Sequence, residues 1–484
     1  MDAQQMRQLQ PRLDEYLSRF NDCFARCDTR KHLPVYVNGQ LSDLQQKSAE
    51  PIALKAGVAP RTLQQFLTSH RWDEERMRQR VHEIVAAEHA SPRAIGIIDE
   101  TSDAKKGDQT PGVQRQYCGA VGKQENCIVT VHLGYAVDDF HCLLDGELFL
   151  PEDWSNDRER CRAAGIPDSM VYRPKTEIAL ELHERARANG VFFEWLTFDE
   201  WYGSKPAFLR ALNGRGQKFV GEVPTTFMAW TEPPAVTTRP FHRHGRGRGR
   251  RTPRLRAGSR KPTTVAATLR YHPPLRDQAW RRYRVKDGEK GPMVWEVKHL
   301  LIYPKDEAGL PDQPYHLVIA RNVLNPAEIK YFVSNAPPGT AVMTLLLVAF
   351  SRWRIERCFE DEKSELGLDQ YEGRLYRGLK RHLILTAVSH LFLARVHQDL
   401  RGEKPGADGL PGAHGHVGAG EELVAFGSTW CATSGANGQG NPLDPDPPGA
   451  SANEPYQGHP TETACVGHSS NRPSPLQLGH DIAL

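Results

Sequence analysis

The sequence predicts an α/β fold with a helical N-terminal region and a β-rich insertion. Apolar residues recur at helical spacing through residues 13–90, strand-like runs then alternate with helical ones up to residue 215, and a strand-rich block occupies residues 216–340. The chain has 484 residues, of which 39% are hydrophobic, so it is long enough for two or three domains with a sizeable core.

The helical N-terminal region, residues 1–90, contains a segment typical of a helix-turn-helix. Residues 51–72 read PIALKAGVAPRTLQQFLTSHRW, with Gly57 at the turn and Pro60 near the start of the second helix. One interpretation is a DNA-binding unit, and the other is an ordinary helical bundle. The segment by itself favours neither.

Residues 91–215 predict the first part of a ribonuclease-H-like core. Three strands forming a meander are expected in RAIGIIDET, RQYCGAVGK and NCIVTVHLGYAV. A helix in KTEIALELHERARAN, a buried strand in VFFEWLTFD and a helix in KPAFLRALNGRG follow. This order places Asp99 on the first strand and Asp199 just after the fourth.

The β-rich insertion, residues 216–340, contains six runs that read as strands. They are KFVGEVP, TTVAATLRYH, WRRYRVKD, MVWEVKHLLIYP, PYHLVIARNV and EIKYFVSNAP. Helices of the core are expected to resume at residues 341–400. Residues 401–484 are rich in Gly, Pro, Ser, Ala and Asn without periodicity, and this composition predicts a mostly disordered tail.

A basic loop, residues 239–261, interrupts the insertion. It carries arginines spaced by Gly and Pro and no acidic residue, although the net charge of the whole chain is only +3. Contact with nucleic-acid phosphates is the functional interpretation, and a solvated linker is the alternative. The residues with which we expect this loop to bind DNA are Arg246, Arg248, Arg250 and Arg251.

Three carboxylates far apart in sequence predict a divalent-metal site. Asp99 and Asp199 each stand where an apolar run breaks, and Glu356 lies in a predicted helix over residues 351–374 with Arg352 and Lys363 on the same face. Hard oxygen ligands suit Mg2+ or Mn2+, and a pair of such ions can activate one oxygen and stabilise another during phosphodiester chemistry. The alternatives are a turn-capping aspartate and an intrahelical ion-pair lattice.

The ordered motifs resemble those of bacterial insertion-sequence transposases of the DDE superfamily. IIDET followed by KKG, Asp199-x2-Tyr202-Gly203, and Arg352-x3-Glu356-x6-Lys363 are similar to the branch with a Tyr-Arg-Glu-Lys signature and a β-rich insertion. The resemblance implies that Asp99, Asp199 and Glu356 bind two metal ions and that Arg352 and Lys363 contact DNA phosphates.

The chain departs from that family pattern at two places. Ala349 stands where the tyrosine of the signature is expected, and Glu100-Thr101-Ser102 follows Asp99 where Asp-Thr-Gly is expected. Neither departure removes a member of the predicted triad.

The resemblance implies a DNA transposase that hydrolyses phosphodiesters at transposon ends and transfers strands into target DNA. The expected partner is double-stranded DNA, both terminal inverted repeats and target, bound by a dimer in the synaptic complex. The alternatives are a catalytically decayed DNA-binding regulator and a ribonuclease-H-like nuclease without strand transfer. No apolar run reaches the length of a membrane span, so we expect a cytoplasmic, nucleoid-associated protein.

Overall fold

The computed structural model describes residues 3–238, 252–288 and 291–402. The four arginines of the basic loop named above, and residues 403–484 of the predicted disordered tail, lie outside the described residues. The described part has a mixed α/β fold, as predicted. Among its helices none combines the length and apolar character that a membrane crossing requires.

The N-terminal region is helical, as predicted. Its helices are α1 Ala3–Ser18, α2 Cys27–Arg30, α3 His32–Gln40, α4 Ala49–Lys55, α5 Pro60–Thr68 and α6 Glu74–Glu88. The helix-turn-helix-like segment forms α4 and α5. Gly57 adopts the left-handed conformation at the turn (φ +68°), and Pro60 opens α5, where its missing N–H costs no hydrogen bond.

The core begins with three long strands and one short one. The elements are β1 Ile95–Ala104, β2 Gln114–Cys118, β3 Lys123–Val137, β4 Phe140–Leu148, α7 Glu152–Asn156, α8 Arg158–Ala163, α9 Lys175–Ala188, β5 Trp195–Phe198, α10 Glu200–Gly203, α11 Pro206–Gly214 and β6 Lys218–Glu222. Strand β4 was not predicted. Its sequence includes Asp145, an acid that is buried because Arg78 and Arg185 pair with it at 3.2 Å.

The insertion contains short and long strands and two helices. Its elements are β7 Met228–Trp230, β8 Val236–Thr237, β9 Arg254–Leu255, β10 Thr263–Thr264, α12 Val265–Tyr271, α13 Pro273–Arg276, β11 Arg281–Gly288, β12 Gly291–Pro304, β13 Tyr315–Asn322 and β14 Ile329–Ser334. The strand predicted in TTVAATLRYH was wrong, because most of that run forms α12. The Thr264 hydroxyl caps this helix by accepting a hydrogen bond from Ala267 N at 3.1 Å.

Three helices complete the described chain: α14 Val342–Ala349, α15 Trp353–Leu366 and α16 Tyr376–Gly402. Within the described residues, twelve strands form one sheet. Its main path runs β10-β7-β12-β13-β14-β6-β5-β1-β3-β2, with β4 also pairing to β3 and β11 to β12. Strands β1, β5 and β6 are parallel neighbours, whereas β1, β3 and β4 form an antiparallel meander.

Helices cover both faces of the central strands. Ile97 packs in one cluster with Ile355 of α15, and Trp195 packs in another with residues of α14. On the opposite face Phe198 meets Phe208 of α11 edge to face, with ring centroids 5.1 Å apart. The helices α14 and α15 therefore lie on the face of the sheet to which odd-numbered residues of β1 point.

Candidate active site

The first two predicted site residues lie level with each other on neighbouring parallel strands, Asp99 in the middle of β1 and Asp199 one residue past the end of β5. Ile98 pairs with Phe198, and Phe198 pairs with Gly221. The next residue along each strand is Asp99, Asp199 or Glu222. Because paired residues of parallel strands point to the same face, these three carboxylates form a row across β1, β5 and β6.

Helix α15 adds the third predicted carboxylate through Arg352, which precedes its first residue. Arg352 Nη1 donates to Asp99 Oδ2 and Arg352 Nη2 donates to Glu356 Oε1, both at 2.8 Å. The predicted sharing of one helical face by Arg352 and Glu356 is thus observed as an i,i+4 ion pair. The guanidinium also joins this pair to the middle of β1, a contact between residues 253 positions apart.

Burial and charge shift the pKa values of this cluster. Burial raises the pKa of Asp99 to about 7; the nearby charge of Asp199 adds to the shift, and the Arg352 guanidinium opposes it. Burial also raises the pKa of Asp199, against the hydrogen bond from Tyr202 N. Although burial disfavours its charge, the pKa of Arg352 is raised by Asp99, Glu356, Glu222 and Asp199. Four carboxylates therefore act on one guanidinium.

Asp199 also caps a short helix. Its Oδ1 accepts hydrogen bonds from Trp201 N at 3.1 Å and Tyr202 N at 3.2 Å, at the start of α10. Both hydrogen bonds are accepted by the same oxygen, so Oδ2 is the atom that can bind a cation. The motif Asp199-x2-Tyr202-Gly203 therefore has a structural role, in which the helix fixes the orientation of the aspartate.

Gly203 lets α10 approach strand β6. A Cβ at this position would lie 1.9 Å from the carbonyl oxygen of Glu222, which is backbone and cannot swing away. The Gly203→Ala variant is expected to lose about 1–3 kcal/mol of unfolding free energy, measured by urea denaturation. The control is Gly214→Ala at the end of α11, where no atom lies within 4 Å of the added carbon. An equal loss in both variants would contradict this explanation.

Helix α15 is shorter than predicted. It ends at Leu366, because Gly367 takes the left-handed conformation (φ +71°) and closes the helix, so the predicted extension to residue 374 was wrong. Lys363 lies in the last turn, where its Nζ donates to the carbonyl oxygen of Ser102 at 3.0 Å. Ala349, in place of the expected tyrosine, is buried at the end of α14.

Glu100 points away from this cluster, as strand alternation predicts. Its carboxylate lies 2.5 Å from Lys175 Nζ and accepts from the Tyr202 hydroxyl at 3.4 Å. Lys175 Nζ is also 5.2 Å from the centre of the Trp201 ring. These contacts hold α10 against the face of β1 opposite to the one that carries Asp99.

Comparison with known proteins gives the family. The sequence model of the DDE superfamily endonucleases matches residues 19–292, more than half of the chain. The chain belongs to this family. The match includes Asp99 and Asp199 and ends before Glu356. The inclusion of Glu356 in the candidate site therefore depends on its contacts and on the motif around it.

One protein similar to this chain is the probable transposase for insertion sequence element IS701 from Microchaete diplosiphon. The two sequences are 32% identical over 192 residues, which is 40% of this chain and 48% of the relative. The matched part thus spans about half the length of that relative. The resemblance to insertion-sequence transposases read from the motifs is confirmed by these two findings.

Divalent metal ions are general in DDE endonucleases, and the donor chemistry of this site fits them. Asp99, Asp199 and Glu356 offer hard carboxylate oxygens, and the cluster already holds one cationic group. Within the described residues, however, no three His, Cys, Asp or Glu side chains are arranged to hold one ion. The Arg352 guanidinium lies between Asp99 and Glu356, so these carboxylates can share a metal only if it moves.

Glu222 is the site residue that the sequence analysis missed. It is the last residue of β6 and follows an apolar run, just as Asp99 and Asp199 follow the apolar runs of β1 and β5. Its Oε1 lies 2.9 Å from Lys330 Nζ. The signal was present in KFVGE, an apolar run ending in an acid. It was overlooked because that run was assigned to the insertion rather than to the parallel core.

Proposed function

We propose that this DDE endonuclease is a DNA transposase with a ribonuclease-H-like core, which cuts the ends of its element and joins them to target DNA. The observation that carries the proposal is the convergence of Asp99, Asp199 and Glu356 around one guanidinium. The similarity to a probable insertion-sequence transposase supports the same reaction class.

The strand order supports the ribonuclease-H-like assignment. An antiparallel meander of β1, β3 and β4 is followed by β5 and β6, both parallel to β1. The predicted meander had β2 as its middle strand, whereas β1 pairs with β3 and β3 with the unpredicted β4, so that part of the prediction was wrong. One acid lies on the first strand and another follows the next parallel strand, as predicted. The carboxylates form a row because the parallel register of β1, β5 and β6 brings them level.

We propose that Asp99, Asp199 and Glu356 hold two Mg2+ or Mn2+ ions, which supply an activated oxygen nucleophile and stabilise the leaving oxygen. Glu356 is 57% exposed and Asp99 13%, so the proposed ligands come from a buried strand and from an open helix face. Asp199 is held in one orientation by the N–H groups of α10, which lowers the entropy cost of binding.

Positive side chains around the carboxylates supply the DNA contacts in this proposal. Lys363 Nζ donates to the carbonyl oxygen of Ser102, three residues beyond Asp99 on β1, and we propose that it contacts a DNA phosphate there. The arginines of the basic loop would add sequence-independent contacts with the backbone. We propose that α4 and α5 recognise terminal inverted repeats and that two copies of the chain pair two ends in a synaptic dimer.

The experiment uses the full chain and DNA carrying the inverted repeats that flank its own coding sequence. We expect cuts at the repeat boundaries with Mg2+ or Mn2+, none with EDTA, and joined products when target plasmid is added. The cut positions are mapped on end-labelled strands, and a scrambled repeat is the control.

Two results would overturn the proposal. Binding to the repeats without cutting under any metal condition would identify a catalytically decayed regulator. Equal cutting of repeat and scrambled DNA, with no joined product, would identify a nuclease that shares the core.

A further inference from the structure

Arg352 holds two of the three proposed metal ligands at once. Its two terminal nitrogens each lie 2.8 Å from a carboxylate oxygen, one of Asp99 and one of Glu356. The other oxygen of Asp99, Oδ1, accepts from Glu100 N at 2.8 Å. Both oxygens of Asp99 are therefore engaged in this state of the protein.

A metal ion held by Asp99 and Glu356 would compete with the Arg352 guanidinium for the same carboxylate oxygens. A divalent ion bound by Asp99 Oδ2 and Glu356 Oε1 would share its ligands with a positive group only a few ångströms away. Repulsion between such charges is strong in a partly buried site, where water screens poorly, and the Arg352 side chain is only 23% exposed. The guanidinium and the metal ion therefore cannot both occupy this position.

We propose that Arg352 is a built-in cation that the metal ion displaces, and that the displaced guanidinium binds a phosphate of the DNA. Metal binding and DNA binding then strengthen each other, because each is easier once the other has drawn Arg352 away from the carboxylates. This inference rests on the proposed function for the metal ligands and for the DNA partner, but the competition with metal can be measured without DNA.

The coupling is reciprocal by thermodynamic necessity. If metal raises the affinity for DNA by some factor, DNA raises the affinity for metal by the same factor. A guanidinium suits both positions, because its planar donors pair equally well with carboxylate and with phosphate oxygens. Arg352 would thus act as a positioning residue that assembles the metal site when DNA arrives.

The chain offers a matched control on the same helix. Arg357 pairs with Glu360 at 3.1 Å and Asp361 at 2.8 Å, but none of these residues belongs to the proposed metal site. Arg357→Gln therefore removes the same charge from α15 without freeing a proposed ligand. Arg352→Lys keeps the charge at the site but replaces a planar group that bridges two carboxylates with a single ammonium.

The first measurement is the affinity for Mn2+ in the absence of DNA, determined by calorimetry and by electron paramagnetic resonance. We expect Arg352→Gln to bind Mn2+ on the order of tenfold more tightly than the unaltered chain. Arg352→Lys should fall between the two, and Arg357→Gln should change the affinity less than about twofold. Unfolding midpoints show that each variant is folded.

The second measurement is the affinity for repeat DNA in Ca2+ and in EDTA. Ca2+ should raise the affinity of the unaltered chain at least about fivefold, and Arg352→Gln should reduce that ratio to nearly one. A folded Arg352→Gln variant that binds Mn2+ no more tightly than the unaltered chain would overturn the inference. So would a Ca2+ effect on DNA affinity that this variant retains in full.

Failure of this inference can be distinguished from failure of the proposed function. The Mn2+ titration involves no DNA and no turnover, so it gives an answer even if the chain cuts nothing. Repeat-specific cutting together with an unchanged Mn2+ affinity in Arg352→Gln would support the function and reject the displacement.

Discussion

DNA cleavage by Asp99→Asn, Asp199→Asn and Glu356→Gln is expected to fall at least about 10³-fold for each variant, because each removes a charged oxygen ligand from the proposed metal site. The substitutions keep the size of the side chain. Burial disfavours the charge of Asp99 and so raises its pKa, and an Asn at this position carries no charge for burial to disfavour, so folding should be retained. The rate is measured under single-turnover conditions with Mg2+ and repeat DNA.

Glu360→Gln is the control for these three variants. Glu360 lies on α15 one turn beyond Glu356, is 66% exposed and pairs only with Arg357 among the ion pairs found in the described residues. Its rate should stay within about twofold of the unaltered chain. A rate above one tenth of normal in Asp99→Asn, Asp199→Asn or Glu356→Gln would reject that residue as a metal ligand.

The largest effect on stability is expected at Arg381, a fully buried residue of α16. Its guanidinium donates to the backbone oxygens of Phe66, Leu67, His70 and Trp72 at 2.9 to 3.3 Å and to Glu74 Oε2 at 2.9 Å. It also lies 4.2 Å from the ring centre of Trp72. This one side chain therefore provides hydrogen-bond donors for the backbone oxygens at the end of α5 and in the loop that leads to α6.

Arg381→Met should lower the free energy of unfolding by about 3–5 kcal/mol, because it leaves buried carbonyls without a donor and removes the buried one of the two arginines that pair with Glu74. Far-UV circular dichroism during urea titration measures this loss. Arg377→Met is the control, since Arg377 also pairs with Glu74, at 3.2 Å, but is 52% exposed. It should cost less than about 1 kcal/mol. Equal losses would show that Glu74, and not the buried carbonyls, carries the effect.

The positions of Asp99 and Asp199 could be predicted because the rule behind them is local. An apolar run stops at each acid, and the pairing of Ile98 with Phe198 brings the two acids level, although β5 ends at Phe198 and β1 continues to Ala104. The same rule applied to Glu222, but its strand was assigned to the wrong part of the chain. The spacing of Arg352 and Glu356 was also readable, because a helix brings residues four apart together.

The contact between Arg352 and Asp99 could not be predicted from the sequence. Helical spacing describes neighbours along α15, whereas this contact depends on how α15 is placed over β1. Strand β4 was missed for a similar reason. Its buried Asp145 is tolerated only because Arg78 of α6 and Arg185 of α9 reach it from two other elements.

The insertion is joined to the proposed active site by an unbroken ladder of backbone hydrogen bonds. Strand β14 pairs with β6 from Ser334 to Phe332, the partner of Glu222, and β13 and β12 follow. A hinge between these strands would have to break several such bonds together. A ligand bound by the far strands of the insertion would therefore be held at a fixed position relative to the carboxylates.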